Sequence, residues 1–264
     1  MTRPIITLTT DYGTSDHLAA AMKGVILNIH PEVNIVDITH DVLPHDILDG
    51  ALTVGHASKF FPPRTIHVVV VDPGVGTQRR PVLVAAGQQY FVGPDNGVLS
   101  FAYAGAEDLH AWHITAEHYF LHPVSNTFHG RDIFAPVAGW LSKTWQSSSF
   151  GEPITDLVRF AIPKPKTSGN ILKAAVLRTD RFGNLMTNIT PEDAPAIFAA
   201  GGRFTIRVGS GQINKIVQTF GQGAAGEAIA FVGSSGYLEI AVNKGNAAKT
   251  LGVGRGAEVT VEFG

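Results

Sequence analysis

The chain has 264 residues, with 20 Lys and Arg against 22 Asp and Glu, a formal net charge of −2 at pH 7, and no cysteine. This balance of charges, without a basic tail, argues against nucleic acid or an anionic membrane as the main partner and favours a small molecule. The lack of cysteine excludes disulfides, thiolate metal sites and a Cys nucleophile. With no signal-peptide pattern and no apolar run near the ~20 residues that span a bilayer, we expect a soluble, cytoplasmic protein.

The first half of the chain alternates predicted strands and helices. Residues 5–10 predict a short buried strand, and the apolar residues of 18–29 follow with helical spacing. Residues 33–38 and 46–60 repeat the strand and helix, and β-branched residues at 66–71 predict a central strand buried on both faces. This order is typical of an α/β domain with a mostly parallel sheet that is covered on both faces.

Polar residues follow the first predicted strand. Asp11 comes directly after it, and Ser15 or Asp16 is placed to cap the next helix. A carboxylate at a strand end is well placed to accept two hydrogen bonds from a ribose diol. The alternative is that Asp11 only shapes the turn.

The central strand ends in a loop that carries charged side chains. Asp72 follows the strand, Gly74 and Gly76 permit a tight turn, and Arg79 and Arg80 come next. Ligands of open α/β sheets bind at the carboxyl ends of the strands, where an arginine pairs with a carboxylate or faces an anion. The alternative is a turn that ends a strand with a solvated Asp and Arg.

Histidines occur in two predicted loops. His129 precedes a helix that starts near Asp132, and the partial positive charge of a helix N-terminus favours a neutral imidazole that can accept a proton. A hydrogen-bonded loop histidine is the alternative. His40 and His45 lack the i, i+4 helical spacing of a zinc motif, which argues against a metal site.

The second half of the chain has a different residue pattern. Residues 161–169 predict a linker between an N-terminal domain at 1–160 and a C-terminal domain at 170–264. Short strand patterns with Gly-rich connections in the latter predict an antiparallel β-barrel. The chain contains no P-loop and no G-x-S-x-G, so phosphoryl transfer and serine hydrolysis lose support.

Five ordered segments carry a family resemblance. They are T-T-D-Y-G at 9–13, D-P-G-V-G-T-x-R at 72–79, G-P-D-N-G at 93–97, T-F-H-G-R-D at 127–132 and D-x-F-G-N at 180–184. In combination they resemble the S-adenosylmethionine hydroxide adenosyltransferases, relatives of the bacterial fluorinase and chlorinase. The resemblance implies an α/β domain, a β-barrel domain, and a homotrimer with active sites between subunits.

The resemblance also implies roles for individual residues. Asp72, Arg79 and His129 match the three residues that handle water, Asp11 matches the residue that binds the ribose hydroxyls, and Asp16 lies in the loop near the methionine moiety. On the barrel side, the implied substrate contacts, some to adenine, are Asp180, Asn184, Ser234, Ser235, Glu239 and the backbone near Val242.

The implied reaction is attack of water or hydroxide on ribose C5′ of S-adenosylmethionine, which yields adenosine and methionine without a cofactor or metal. Arg79 does not act as a base because a guanidinium stays protonated in proteins, so the proton goes to Asp72 or His129, a choice that the sequence leaves open. Halogenating relatives carry a non-acidic residue at the position of Asp72 and a hydroxyl residue at the position of Val75. They also have an inserted loop that is missing from residues 82–93 of this chain. The alternatives are a halogenase, a non-catalytic adenosine-binding trimer and a histidine-rich metallohydrolase.

Overall fold

The computed structural model describes residues 3–199 and 202–264. These fall into two compact units, one that ends at Ala161 and one that begins at Ile162. The first is built on a sheet with parallel strands and the second on an antiparallel, barrel-like sheet, so the predicted fold class is confirmed. Within the described ranges, no helix is both long and apolar enough to cross a membrane.

The sheet of the first unit has seven strands in the order β2-β1-β3-β5-β4-β6-β7. The strands are β1 (Ile5–Thr10), β2 (Asn34–Thr39), β3 (Ile66–Val70), β4 (Pro81–Ala86), β5 (Gln89–Pro94), β6 (Leu109–Ile114) and β7 (Gly151–Ile154). The β1–β2, β1–β3 and β3–β5 pairs are parallel, and the other three pairs are antiparallel. The sheet is therefore mixed, and its parallel half carries the loops predicted to be functional.

Three helices cover this sheet, α1 (Leu18–Ile29), α2 (Ile47–Ala57) and α3 (Ala135–Thr144). Val68 and Val70 of β3 lie in one core with α1 and α3, whereas Val69 of β3 and Val71, which directly follows the strand, lie in a second core with α2. The central strand is therefore buried on both faces, as its run of β-branched residues predicts.

The second unit contains eight strands, β8 (Lys166–Ser168), β9 (Ile171–Thr179), β10 (Leu185–Thr187), β11 (Phe204–Val208), β12 (Gly211–Ile213), β13 (Ala228–Val232), β14 (Leu238–Val242) and β15 (Glu258–Phe263), with the short helices α4 (Pro195–Phe198) and α5 (Ala247–Leu251). All of their pairings are antiparallel, and β8 pairs with β9. The sequence predicts strands at 172–178, 203–208, 213–218, 228–232, 237–242 and 257–263. The structure differs in that β8 lies within the predicted linker 161–169, β10 is not among the predicted strands, and β12 ends at Ile213, where the predicted strand 213–218 begins. A three-residue strand carries too short a pattern to identify.

A buried histidine gives the first unit a testable pH dependence. His67 on β3 lies between the rings of Phe61 and Phe91, with ring centroids 5.5 and 5.0 Å away, and its Nδ1 shares a 2.7 Å hydrogen bond with the Thr7 hydroxyl. Burial lowers the pKa of His67 to about 4, while the Gln89 side chain acts in the opposite direction. The unfolded chain binds a proton near pH 6.5, and the folded chain binds it only near pH 4.

We therefore expect the stabilising effect of neutral His67 to be complete above pH 6.5 and to be lost as the pH falls toward 4. The free energy of unfolding should drop by about 3 kcal/mol over this interval on account of this residue. Urea unfolding of the wild type and His67→Leu across this range checks the expectation, with the exposed His110→Leu as the matched control. An acid loss that is equally steep in His67→Leu would contradict it.

Candidate active site

Parallel pairing brings two of the polar loops to one edge of the sheet. Thr10, the last residue of β1, is in register with Val70, the last residue of β3. The chain runs from these two positions into Asp11 and Asp72, so both carboxylates leave the sheet at the same edge. This is the carboxyl edge, where α/β proteins bind their ligands.

Asp72 and Arg79 form a buried, bidentate ion pair across the turn that joins β3 to β4. Arg79 Nε donates to both carboxylate oxygens at 3.0 Å, and Arg79 Nη2 donates to Asp72 Oδ2 at 2.5 Å. The side chains are only 5% and 9% exposed, respectively. At this depth the guanidinium fixes the direction of the carboxylate, and the two charges compensate each other.

Arg79 also reaches His129, which completes a cluster of three side chains. Arg79 Nη2 lies 2.6 Å from His129 Nδ1. Because a guanidinium has only donors, Nδ1 accepts this bond, and the neutral imidazole carries its proton on Nε2. Burial lowers the pKa of His129 and the Arg79 charge lowers it further, against the opposing charges of Asp72 and Asp132. The neutral ring therefore offers an N–H donor at Nε2.

One contact brings the loop of His129 against the loop of Asp72, and a second group of hydrogen bonds closes the His129 loop on itself. A Cβ on Gly76, which has φ +75°, would lie 2.3 Å from the Asn126 carbonyl oxygen, so only glycine fits this approach. Asp132, fully buried, accepts hydrogen bonds from the Ser125 backbone N–H and the Arg131 guanidinium. His129 thus lies in a loop that is closed on itself, directly before a π-helical turn (Gly130–Phe134) that leads into α3.

Tyr12 is a neighbour of the cluster that the sequence analysis did not single out. Its ring packs edge-on against Phe128 with centroids 5.8 Å apart, and a Cβ on Gly130 would lie 2.5 Å from the Tyr12 hydroxyl. Burial raises the pKa of Tyr12 well above its usual value, the charges of Asp11 and Asp72 raise it further, and Arg79 opposes them. Tyr12 therefore remains a neutral hydroxyl near the cluster. The sequence signal that could have identified Tyr12 is its place in T-T-D-Y-G, next to Asp11.

The remaining predicted residues of the first unit lie in loops at the same edge. Asp11 Oδ2 accepts a hydrogen bond from the backbone N–H of His45 at 2.9 Å. Asp16 Oδ1 accepts from the Leu18 N–H at 3.1 Å, so its side chain holds the first turn of α1. Asp11 thus joins its own loop to the loop after β2.

The predicted residues of the second unit form two small groups. Asp180 Oδ1 accepts from the Asn184 backbone N–H, and Asp180 Oδ2 accepts from the Asn184 side chain, both at 2.8 Å. The Ser235 hydroxyl donates to Glu239 at 3.3 Å, and burial raises the pKa of Glu239, as does the charge of Asp180. Ser234 is exposed, and the side chain of Val242 is buried in the barrel core.

The described residues contain no cluster of His, Asp and Glu side chains with the geometry of a metal site. His40, one of the two histidines considered for metal binding, is buried, with its Nδ1 2.8 Å from the Thr10 hydroxyl and its Nε2 3.1 Å from Asp37. Its Nδ1 therefore has a hydrogen-bond partner, and its Nε2 lies within ion-pair distance of Asp37.

Fold and site together define a class: an α/β unit followed by an antiparallel barrel-like unit, with a buried carboxylate, guanidinium and imidazole at the carboxyl edge of the parallel strands. Known proteins identify it further. The protein-family model for the SAM hydroxide adenosyltransferase N-terminal domain matches residues 6–151, and the family model for the C-terminal domain matches residues 174–260. The chain belongs to this family.

Individual relatives cover nearly the whole chain. Proteins named (R)-S-adenosyl-L-methionine hydrolase from Salinispora tropica and Salinispora arenicola are 38% and 36% identical, over 99% of this chain and 98% of each relative. The crystal structure of an uncharacterized conserved protein from Thermotoga maritima aligns with a TM-score of 0.89 at 34% identity, over 97% of this chain and 99% of that one. Proteins named fluorinase are more distant, among them one from Actinoplanes sp. at 29% identity over 98% of this chain and 97% of its own.

Proposed function

We propose that this protein hydrolyses S-adenosyl-L-methionine to adenosine and L-methionine by attack of water or hydroxide on ribose C5′. The observation that carries the proposal is the buried cluster in which Arg79 contacts both Asp72 and His129. Methionine leaves as a neutral thioether, so the leaving group needs no acid. The chemical demand falls on the nucleophile, which must be held in line and lose a proton.

Arg79 has one unused donor for this task. Its Nη1 is buried and is the one nitrogen of its guanidinium for which the described residues supply no hydrogen-bond partner. A buried donor without a partner is costly, and a water or hydroxide oxygen would satisfy it. We assign to Arg79 the binding and electrostatic stabilisation of the nucleophile.

The hydrogen bonds favour Asp72 over His129 as the proton acceptor. His129 Nδ1 is occupied by the Arg79 N–H, and its Nε2 already carries the proton in the neutral ring. His129 therefore acts as a donor that orients the nucleophile. Asp72 is paired with Arg79, and a carboxylate has about four lone-pair sites, so it retains capacity for the proton of water.

A carboxylate in this position also favours water over halide. Asp72 would repel fluoride or chloride approaching C5′. This argues against the halogenase alternative that the fluorinase relatives raise.

The test is incubation with S-adenosylmethionine in ¹⁸O-water, with and without fluoride or chloride, followed by mass spectrometry of the nucleoside. We expect adenosine with ¹⁸O at C5′ and an equal amount of methionine under all conditions. A 5′-halo-adenosine would establish the halogenase instead. If no product formed, the non-catalytic adenosine-binding protein would be the remaining alternative.

For Asp11 we propose ribose binding, since its carboxylate lies at the same edge as Asp72. Asp11→Ala should raise KM for S-adenosylmethionine by ~10 to 100-fold with kcat changed less, because it removes one or two charge-assisted hydrogen bonds to a non-reacting part of the substrate. Steady-state kinetics measure both constants. Asp11→Asn separates the roles: it keeps an acceptor for the His45 N–H but loses a charged acceptor for the diol, so normal KM in Asp11→Asn would limit Asp11 to holding the loop.

The remaining assignments belong to the same proposal. We propose that Asp16 lies near the methionine moiety and that the N-terminal domain supplies the residues that act on water. The barrel domain contributes the other substrate contacts, from Asp180, Asn184, Ser234, Ser235, Glu239 and the backbone near Val242. The family resemblance supports a homotrimer with sites at subunit interfaces and independence from cofactors, and the lack of a signal-peptide pattern supports a cytoplasmic location. Native mass spectrometry tests the trimer, and activity after dialysis against a chelator tests metal independence.

A further inference from the structure

The segment G-P-D-N-G at 93–97 has no part in the reaction proposed above, yet it lies against the Asp72 loop. It begins at the end of β5, the parallel neighbour of β3. A Cβ on Gly93 would lie 2.5 Å from the Val69 carbonyl oxygen, so glycine permits this close approach of the two strands. The segment therefore reaches the point where β3 passes into the loop of Asp72.

Asn96 holds the backbone next to Asp72. Its Nδ2 donates to the Val71 carbonyl oxygen at 2.9 Å, and its Oδ1 accepts from the Val98 backbone N–H at 3.1 Å. The Val71 carbonyl belongs to the peptide unit whose nitrogen is that of Asp72. The hydrogen bond consequently fixes the peptide plane from which the Asp72 side chain extends.

Asp95 holds the backbone next to Arg79 in a similar way. Arg80 donates to Asp95 Oδ2 from Nε at 3.0 Å and from Nη2 at 2.6 Å, and its carbonyl oxygen accepts from the Asp95 backbone N–H at 2.8 Å. The Asp95 side chain is 3% exposed. Both ends of the loop that contains the Asp72–Arg79 ion pair are thus attached to two consecutive residues of one segment.

We propose that Asn96 and Asp95 are positioning residues that set the relative placement of Asp72 and Arg79, and through Arg79 that of His129. The catalytic part of this inference rests on the proposed hydrolysis. Displacement of a reacting group by about 1 Å costs ~10²-fold in rate, so small shifts of the two attachment points suffice for a large effect.

The first test is the kinetics of Asn96→Ala on the full-length protein. We expect kcat to fall ~10 to 100-fold with KM for S-adenosylmethionine within about threefold of the wild type, because only the reacting geometry changes. In an Asp72→Asn background, Asn96→Ala should cause no further loss of kcat, since the group that it positions is already disabled. Arg80→Lys, which keeps the charge beside Asp95 but not the bidentate contact, provides a second variant should Asn96→Ala fail to fold.

The matched control is Gln89→Ala. Gln89 lies at the other end of β5 and also uses a side-chain amide to hold backbone carbonyls, those of Ser58 and Phe61 at 3.0 and 2.9 Å. Its loss should lower thermal stability and leave kcat unchanged. Normal kcat in both Asn96→Ala and Arg80→Lys, with an active wild type, would overturn the proposal.

A second measurement needs no turnover. The proton NMR titration of His129, assigned by the loss of its signal in His129→Gln, reports the position of the Arg79 guanidinium. The charged groups that act on this ring are Arg79, Asp72 and Asp132. We expect the pKa of His129 to be higher in Arg80→Lys than in the wild type, because the Arg79 charge that lowers this pKa moves away from the ring, and to be unchanged in Gln89→Ala. If the wild type does not release adenosine, the proposed function fails, and this titration alone decides the inference.

Discussion

Asp72→Asn should lower kcat for S-adenosylmethionine hydrolysis by ~10²-fold or more. The amide keeps the shape of the carboxylate but accepts no proton, and it weakens the contacts with Arg79 that now run to both oxygens. Because methionine departs without acid help, no other group compensates for this loss. Initial rates of adenosine formation at saturating substrate give the measurement.

The variant also leaves a buried guanidinium without its counter-ion, and loss of one partner of a buried pair typically costs about 3–5 kcal/mol of stability. The rates should therefore be compared well below the melting temperature of the variant. Glu227→Gln is the matched control, since it removes a carboxylate paired with Lys215 at 2.7 Å on the other unit. Turnover by Asp72→Asn within a few-fold of the wild type would remove Asp72 from the mechanism.

Replacements of His129 should separate its two candidate roles. His129→Ala removes both the acceptor for Arg79 Nη2 and the donor at Nε2, and we expect kcat to fall by ~10²-fold. His129→Gln supplies an amide oxygen for Arg79 and an N–H for the nucleophile, so it should retain activity within about tenfold of the wild type.

The contrast is diagnostic because a glutamine side chain does not accept a proton at neutral pH. If His129 were the base, His129→Gln and His129→Ala would be equally slow. Equal rates would also overturn the assignment of the proton to Asp72. The pH profile of kcat in His129→Gln provides the independent check, since any limb due to the imidazole must disappear.

For His129, the sequence predicts the neutral imidazole correctly but names an incomplete cause for it. The sequence predicts a neutral imidazole from the amino terminus of the following helix. In the structure, the pKa of His129 is lowered first by burial and next by the charge of Arg79. Arg79 is 50 residues away in the chain, and a local pattern carries no information about such a contact.

The sequence also left unused signals. The glycines of 72–76 were interpreted as a tight turn, but Gly76 serves the approach of the Asn126 backbone, and the approach of Tyr12 requires glycine at position 130. G-P-D-N-G predicts a turn and contributes to the family resemblance, but in the structure Asn96 also holds the carbonyl next to Asp72, and Asp95 holds the backbone and side chain of Arg80, next to Arg79. A glycine or amide in a loop reveals its role only when its partner is known.

The sequence by itself determined the frame of the site. A run of β-branched residues at 66–71 requires a strand buried on both faces, and a polar residue directly after such a strand must leave the sheet at its edge, which is where Asp72 lies. Only the tertiary structure decided which arginine meets it. Arg79 and Arg80 carry the same side chain, and Pro81 favours an extended Arg80, so the two side chains point to opposite sides. This local rule does not say which of them faces Asp72. The pairing of β4 with β5, in which Pro81 lies opposite Pro94, brings Asp95 to Arg80, and Arg79 pairs with Asp72.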